Sequence, residues 1–223
     1  MMKKISLIEA QKKNPRRFNI FLDGEFAFGA DEDTVVNFRL VKGKEISEQD
    51  LEKIVFETEI GLLMGRMYAL FSRRQRTEKE VRDYLHNLSF KRKLKEQEEI
   101  SEMVIEKVIE RLEQKQLLND EEFAKAWTYS RQVSKKKGQV AIRQELIKKG
   151  VSKDIIDEVF SEQTSAESEQ KLAQEALEKK SRLFRGLKGI ELKQKVLQFL
   201  VRRGFSFDTA KDVVEDFLKK GYN

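Results

Sequence analysis

The fold is decided by a stretch that occurs twice in this chain. Residues 142–152 read IRQELIKKGVS and residues 196–206 read VLQFLVRRGFS, at a constant offset of 54 positions. Paired cations favour the C-terminal end of a helix, where they face unsatisfied backbone carbonyls. The glycine that follows suits the left-handed conformation that ends a helix, and the serine two positions later is a preferred N-cap. Each copy therefore predicts a helix, a sharp turn and a second helix.

The pattern around this stretch extends to three tandem copies. Apolar residues at helical spacing mark the inward face of the last helix in each copy: Ile105, Val108 and Ile109; Ile155, Ile156, Val159 and Phe160; and Thr209, Ala210, Val213 and Val214. Equivalent positions of the first and second copies are 61 residues apart in the second helix but 51 residues apart in the third helix. This change indicates extra residues between the second and third helices of the first copy. Because each unit would contact mainly its neighbours, three units in series predict an elongated array.

We therefore predict a mainly α protein of three helix-turn-helix-like, three-helix repeats preceded by a small β module. The predicted boundaries are 1–60 for the N-terminal module, 61–118 for repeat 1 with an insertion near 89–100, 119–166 for repeat 2 and 167–223 for repeat 3. In the N-terminal module, residues 5–10 and 18–22 have strand-like patterns, and Asp23-Gly24 predicts a tight antiparallel hairpin. Ser47 followed by Asp50 marks the start of a helix.

Charge is segregated in step with the repeats. Residues 66–95 hold ten Lys or Arg and three Asp or Glu, whereas 96–124 hold three and ten. Residues 125–153 hold nine basic and one acidic residue, 154–178 hold one and eight, and 179–203 hold nine and one. This alternation favours repeated units that each direct a basic surface at an anionic partner.

Composition limits the compartment and the class of partner. The chain of 223 residues has no Cys, which fits a reducing compartment, and no apolar run of transmembrane length. Its N-terminus lacks the apolar segment of a signal peptide. We expect a cytoplasmic, monomeric protein without membrane association. A net charge of +6 and a pI near 9.2 favour nucleic acid, or a protein bound to it, as partner.

Residues with catalytic potential are scarce. His86 is the sole histidine and has no ligand set around it in the sequence, so we expect it on the surface. Trp127 lies at helical spacing with Phe123, which favours core packing or burial at a repeat junction over stacking on a base. No phosphate-binding glycine motif, zinc-protease motif or serine-hydrolase motif occurs. We predict that the protein is not an enzyme.

A resemblance emerges from residues 70–85, LFSRRQRTEKEVRDYL, together with Arg111-Leu112 and the segment LLNDEEFA at 117–124. These strings resemble the RecX regulatory protein family, and the N-terminal hairpin resembles the extension of its longer members. The resemblance implies a modulator of the RecA recombinase in DNA repair, recombination and the SOS response. It would lie in the groove of the RecA–single-stranded DNA filament and restrain ATP hydrolysis, strand exchange and LexA cleavage. It implies no catalytic residues and no cofactor.

The insertion in repeat 1 departs from the repeat pattern, because Ser89 stands where the other copies have glycine. Candidate filament-binding and nucleic-acid-binding residues are the basic side chains of the three blocks. They are Arg73, Arg74, Arg76 and Arg82 in repeat 1; Arg131, Lys135, Lys136, Lys137 and Arg143 in repeat 2; and Lys179, Lys180, Arg182, Arg185, Lys188 and Lys193 in repeat 3. The competing interpretation is that these charges only balance acidic helices within each unit. We expect single-stranded DNA binding to be weak and non-specific.

Two other functions are open at the level of sequence. Three-helix units are also found in helix-turn-helix DNA-binding regulators, although no helix here clusters the Asn, Gln and Arg residues that read bases. A helical-repeat adaptor that binds no DNA is the other alternative. Binding to single strands, duplex and recombinase filament would separate the three interpretations.

Overall fold

The computed structural model of the chain describes residues 2–12, 14–163 and 165–219. The strands are β1 (Met2–Gln11), β2 (Asn14–Leu22), β3 (Glu25–Asp31) and β4 (Glu45–Ser47). The helices are α1 (Glu32–Asn37), α2 (Glu48–Phe71), α3 (Glu78–Lys93), α4 (Glu102–Gln114), α5 (Asp120–Lys135), α6 (Gln139–Lys148), α7 (Lys153–Gln163), α8 (Ala166–Glu178), α9 (Gly189–Arg202) and α10 (Phe207–Lys219), with a 3-10 turn at Ser181–Phe184. The predicted class, mainly helical behind a small antiparallel sheet, is confirmed.

The described residues fall into two compact units. Unit 1 contains the stretch up to Gln75 and residues 81–118, and unit 2 contains residues 76–80 and the chain from Asn119 onward. Unit 1 thus holds the sheet and most of the first three-helix repeat. Unit 2 holds the second and third repeats, together with the short segment that leads into α3.

The sheet has the strand order β3-β2-β1-β4 and is antiparallel throughout. Asp23-Gly24 forms the predicted turn between β2 and β3. Alternate side chains point to one face, where Ile5, Ile20 and Phe28 are buried. β4 was not predicted, because it is three residues long and pairs with the start of β1 from far along the chain. A strand of that length has too few positions to show alternation.

α2 connects the sheet to the first repeat. Ser47 caps it as predicted, with its Oγ accepting a hydrogen bond from the Asp50 backbone N–H at 3.1 Å. Ile54 in the first half of α2 belongs to the sheet core, whereas Ile60 and the residues after it belong to the core of repeat 1. The helix therefore runs without interruption through the predicted boundary between residues 60 and 61.

Repeat 1 accommodates its extra residues in α3 and in the connection to α4. α3 has 16 residues against 10 in α6, and the α3–α4 connection is also longer than the α6–α7 connection. Ser89 is buried inside α3, and its Oγ accepts a hydrogen bond from the Ile100 backbone N–H at 3.0 Å. This bond ties the long connection back to the helix, so repeat 1 needs no glycine at that position.

The cores of the three repeats follow the predicted faces. Val108, Val159 and Val213, at equivalent positions in the third helices, are all at most 1% exposed. Gly150 and Gly204 both have φ +87, the left-handed conformation that their sequence context predicts. Ser206 caps α10, with its Oγ accepting from the Thr209 N–H at 3.0 Å.

Unit 2 contains the same junction twice. The Thr77 hydroxyl, just before α3, donates to the Lys149 carbonyl at 2.7 Å, and the Gly138 N–H, just before α6, donates to the Arg203 carbonyl at 3.0 Å. The start of the second helix in one repeat thus contacts the basic turn that ends the second helix of the next. Successive repeats of the sequence therefore make the same type of contact at both junctions.

The glycines of these turns are required by the junctions. A Cβ on Gly150 would lie 2.4 Å from Lys79 Cβ, and a Cβ on Gly204 would lie 2.2 Å from Ala141 Cβ. Both distances are shorter than any real contact of a Cβ atom. Repeat 1 has no three-helix repeat before it, which explains why its own second helix can end without glycine.

Candidate nucleic-acid interface

The basic block of repeat 2 is largely engaged inside the protein. Arg131 Nε lies 2.8 Å from Glu145 Oε2, and Lys137 also pairs with Glu145. Arg143 pairs with Asp157, and Lys136 Nζ lies 2.6 Å from Glu175 Oε2. Four of the five candidate cations in this repeat therefore meet a carboxylate of unit 2. Three of the four pairs lie within repeat 2, as the charge-balance interpretation predicts, whereas Glu175 belongs to repeat 3. Lys135 has no carboxylate within ion-pair distance among the described residues.

Trp127 is the centre of this internal network. Its ring stacks on Phe123 at 5.5 Å between centroids, and its Nε1–H donates to Glu145 Oε2 at 2.8 Å. The Arg131 guanidinium lies 3.9 Å and the Lys149 ammonium 4.4 Å from the ring centroid. Because protein groups occupy the ring in this way, Trp127 is a half-buried core residue and not an open platform for a base.

Glu145 is the acceptor that this network shares. Burial alone raises the pKa of a carboxyl group, but hydrogen bonds from Lys137, Arg131 and Trp127 outweigh that effect and hold the pKa of Glu145 below its ordinary value. Glu145 is the single acidic residue of the block 125–153. Its position explains how one carboxylate can engage two cations of a block that is otherwise basic.

The candidate cations of repeat 1 differ in whether other groups of the protein engage them. Arg82 makes two hydrogen bonds to Glu106, at 2.6 and 3.0 Å, which also lower the pKa of that carboxyl group. Arg74 Nη1 donates to the Gln75 carbonyl at 3.0 Å. Arg73 is exposed on the loop after α2, and no carboxylate of the described chain lies within ion-pair distance. Arg76 is half-buried, and its Nε has no hydrogen-bond partner among the residues that the structure describes.

Repeat 3 differs from repeat 2, although its block has the same nine-to-one ratio. We define its basic patch as the six candidates between the end of α8 and the first turns of α9: Lys179, Lys180, Arg182, Arg185, Lys188 and Lys193. All six are exposed, and within the described ranges none lies within ion-pair distance of a carboxylate. Leu183 and Ile190, which lie between them in sequence, are 63% and 77% exposed.

One further cation extends this patch. Lys195 is exposed on α9, two positions after Lys193, and is likewise free of carboxylate partners in the part of the chain that the structure describes. Sequence reasoning omitted it, although its spacing from Lys193 and its place in the same basic block were available as signals. Within the described residues, repeat 3 is the one repeat whose predicted cations are all exposed and without a carboxylate partner.

The acidic block 154–178 explains why the two repeats differ. Its side chains Asp157 and Glu175 are the partners of Arg143 and Lys136 in repeat 2. The cations after residue 178 have no comparable acidic block behind them, since residues 204–219 hold only a few carboxylates on α10. Most candidate cations of repeat 2 are thus paired with carboxylates of unit 2, whereas those of repeat 3 face solvent.

Comparison with known proteins identifies the family. A family model described as "Regulatory protein RecX N-terminal domain" matches residues 3–47. Models described as the second and third three-helix domains of RecX match residues 119–159 and 167–214. A "Regulatory protein RecX" from Bacillus velezensis is 36% identical over 214 residues, which cover 95% of this chain and 76% of the relative. The chain belongs to the RecX family.

Other RecX proteins agree with this assignment. The "Regulatory protein RecX" of Bacillus subtilis is 38% identical over 214 residues, covering 95% of this chain and 77% of that protein. A crystal structure of a regulatory protein RecX has a TM-score of 0.71 at 31% identity and covers 96% of this chain and 99% of that one. RecX from Lactobacillus salivarius, at 24% identity, shares the fold with a TM-score of 0.60 over 70% of this chain and 95% of that one.

The RecX resemblance predicted from the sequence is therefore confirmed, and the relatives are named regulatory proteins. Among the described helices of this RecX family member, none is long and apolar enough to cross a bilayer. The described side chains also contain no group of three or more His, Asp or Glu residues placed to hold a metal ion.

Proposed function

We propose that this chain binds the RecA–single-stranded DNA filament and restrains its ATP hydrolysis, strand exchange and coprotease activity. The observation that supports the proposal is the repeat-3 basic patch, where six exposed cations lack a carboxylate partner within the described residues. Exposed cations of this kind attract an anionic surface, and the phosphate backbone of a nucleic-acid strand carries a high density of negative charge.

The apolar residues within the patch favour a nucleoprotein over bare DNA. Leu183 and Ile190 are the kind of large apolar side chains that protein interfaces bury, whereas phosphates offer nothing for them to contact. Cations flanked by exposed apolar groups suit a surface on which strand and protein are both accessible. A filament of recombinase on single-stranded DNA meets this description.

The test measures RecA ATPase on single-stranded DNA with increasing amounts of this chain. We expect the wild-type chain to slow hydrolysis. A patch variant, with Lys179, Lys180, Arg182 and Arg185 changed to Gln, should lose most of that effect. The control variant changes four other exposed lysines to Gln: Lys3, Lys4, Lys12 and Lys42. Both variants lose the same formal charge, so a bulk electrostatic effect would weaken them equally.

Salt dependence gives an independent readout. If patch residues contact phosphates, the slope of log affinity against log salt should decrease by about 0.7 for each contact removed from a single strand. Fluorescence anisotropy with filament, single strand and duplex separates the alternatives. Preference for a duplex of defined sequence would favour a helix-turn-helix regulator, and absence of binding to all three would favour a DNA-free adaptor.

A further inference from the structure

A large open cleft lies in unit 1, between the N-terminal sheet module and the first repeat. Its volume is about 1060 Å³, and its lining comes from β2, the end of β3, α1, α2 and the C-terminal end of α4. The basic side chains on its walls are Arg16, Arg17, Arg66, Arg111 and Lys115. None of these five was among the predicted binding residues, because they lie in three separate segments and come together only in the fold.

Three of these cations are available to a ligand. Arg111 pairs with Glu57, and Arg17 Nη2 donates to the Gly29 carbonyl at 3.3 Å. Arg16, Arg66 and Lys115 are exposed, and among the described residues no carboxylate lies within ion-pair distance of them. The cleft therefore contains cations from three elements, β2, α2 and α4, whose charge the described chain leaves unneutralised.

Two of the three described acidic residues that line the cleft, Asp31 and Glu57, are engaged by other groups. Asp31 caps α1, with its Oδ1 accepting from the Thr34 N–H at 2.8 Å, and Asp33 lies in the first turn of that helix, where the dipole favours negative charge. Glu57 is the partner of Arg111. The groups that remain free in the cleft are thus mainly cationic.

Two glycines of α2 line the cleft, and they differ in what they touch. A Cβ on Gly61 would lie 2.2 Å from Asp31 Oδ2, so the sheet module needs a glycine there in order to pack against α2. A Cβ on Gly65 would meet no atom within 4 Å. Because glycine is a poor helix former, a glycine inside an exposed helix with free space around it has no packing explanation.

Gly65 instead leaves the floor of the cleft open beside an aromatic ring. Tyr68, three positions along the same helix, also lines the cleft and is 43% exposed. The cleft thus places cations that the described chain leaves unpaired next to an accessible aromatic ring and to a helix surface without side chains at Gly65. A nucleic-acid strand can use both features, because its phosphates bind cations and its bases stack on aromatic rings. An acidic peptide would use the cations but not the ring.

We infer that this cleft binds single-stranded nucleic acid, with Arg16, Arg66 and Lys115 on its phosphates and Tyr68 against a base. The inference extends the proposed function, because it gives the N-terminal module a nucleic-acid contact separate from the repeat-3 basic patch. The strand is favoured over a free nucleotide because the cleft is open and its cations come from three separate elements.

The experiment measures the affinity of the full chain for fluorescein-labelled oligo(dT) without recombinase. Gly65→Glu adds a carboxylate to free space on the cleft floor and should weaken binding about ten-fold or more, with a smaller loss for the neutral Gly65→Gln. Tyr68→Ala should weaken binding by about ten-fold, and Tyr68→Phe, which keeps the ring, should restore it. His86→Glu places the same added charge on an exposed position of α3 outside the cleft and should leave affinity unchanged.

Gly65→Ala serves as the folding control, because it strengthens the helix without filling the cleft. Equal affinity of Gly65→Glu and His86→Glu would overturn the inference. If dTMP at matched phosphate concentration competes as well as the oligonucleotide, the ligand of the cleft is a mononucleotide and the inference is wrong. If polyglutamate competes equally, the ligand is an acidic peptide and the inference is likewise wrong. Since no recombinase is present, these outcomes are independent of whether the chain slows RecA ATPase.

Discussion

Changing Gly204 to alanine should destabilise unit 2 far more than the same change at another left-handed glycine. Gly204 has φ +87, and an added Cβ would lie 2.2 Å from Ala141 Cβ and 2.4 Å from the Ala141 backbone nitrogen. α6 cannot move away freely, because its start is held by hydrogen bonds from the Gly138 and Val140 N–H groups to the Arg203 and Gly204 carbonyls, at 3.0 and 2.9 Å.

Three costs contribute to the expected loss in the free energy of unfolding. The left-handed conformation costs an alanine about 1–2 kcal/mol, and overpacking at Ala141 costs about 1–3 kcal/mol. Weakening of a junction hydrogen bond adds about 1 kcal/mol. We therefore expect a total of about 3–6 kcal/mol. Gly186 has φ +84 but no atom within 4 Å of an added Cβ, so Gly186→Ala should cost only about 1–2 kcal/mol.

Urea unfolding monitored by tryptophan fluorescence measures this difference in the stability of unit 2. Trp127 is the sole tryptophan of the chain and lies in unit 2 with both glycines. With ordinary denaturant slopes of about 1–3 kcal/mol per molar urea, the midpoints of the two variants should differ by about 1–2 M. Equal midpoints would show that the left-handed conformation alone, and not the contact with Ala141, requires glycine at this position.

Three further predictions concern stability. Thr77→Val should cost unit 2 about 1–3 kcal/mol in a urea titration, because the buried Thr77 hydroxyl donates to the Lys149 carbonyl and accepts from the Glu80 N–H; Thr77→Ser should recover most of the loss. The pKa of Glu145 is lowered in the folded state, so its contribution to the free energy of unfolding is present above the ordinary value of 4.5 and is lost as pH falls through the lower folded pKa. Glu145→Gln should flatten that part of the pH–stability curve and cost about 1–3 kcal/mol at neutral pH. An unchanged curve would contradict the hydrogen-bond network described for Glu145. Gly65→Ala should stabilise unit 1 by about 1 kcal/mol in circular-dichroism melts, because alanine is the better helix former. Gly61→Ala should give no such increase in stability, because its Cβ would displace the Asp31 side chain that caps α1. Equal increases at both positions would contradict the packing described for Gly61.

Much of the fold was predictable from the sequence because the deciding interactions are local. The caps at Ser47 and Ser206 are hydrogen bonds that span three residues, and the left-handed Gly150 and Gly204 end helices within one turn. Helix faces follow from the spacing of apolar residues, and the Asp23-Gly24 hairpin follows from its turn. Interactions of this range leave a readable pattern in a single sequence.

Charge blocks were a weaker guide, because pairing across the fold is not periodic. Repeats 2 and 3 have equal basic blocks in the sequence, and only packing brings Asp157 to Arg143 and Glu175 to Lys136. These partners are separated by 14 and 39 positions, so no local rule connects them. The same is true of β4, which pairs with β1 from 45 positions away in the register Met2 to Ser47.

The sequence by itself determined the family, the three-helix repeats, the hairpin and the glycine turns, since each depends on residues within a few positions of one another or on a motif repeated at a fixed offset. The tertiary structure alone decided which cations are neutralised, why the glycines at 150 and 204 are obligatory, and that Arg16, Arg66 and Lys115 share one cleft with Gly65. These features depend on distances between segments far apart in the chain. Such distances are set by core packing, which a pattern of residue types does not encode.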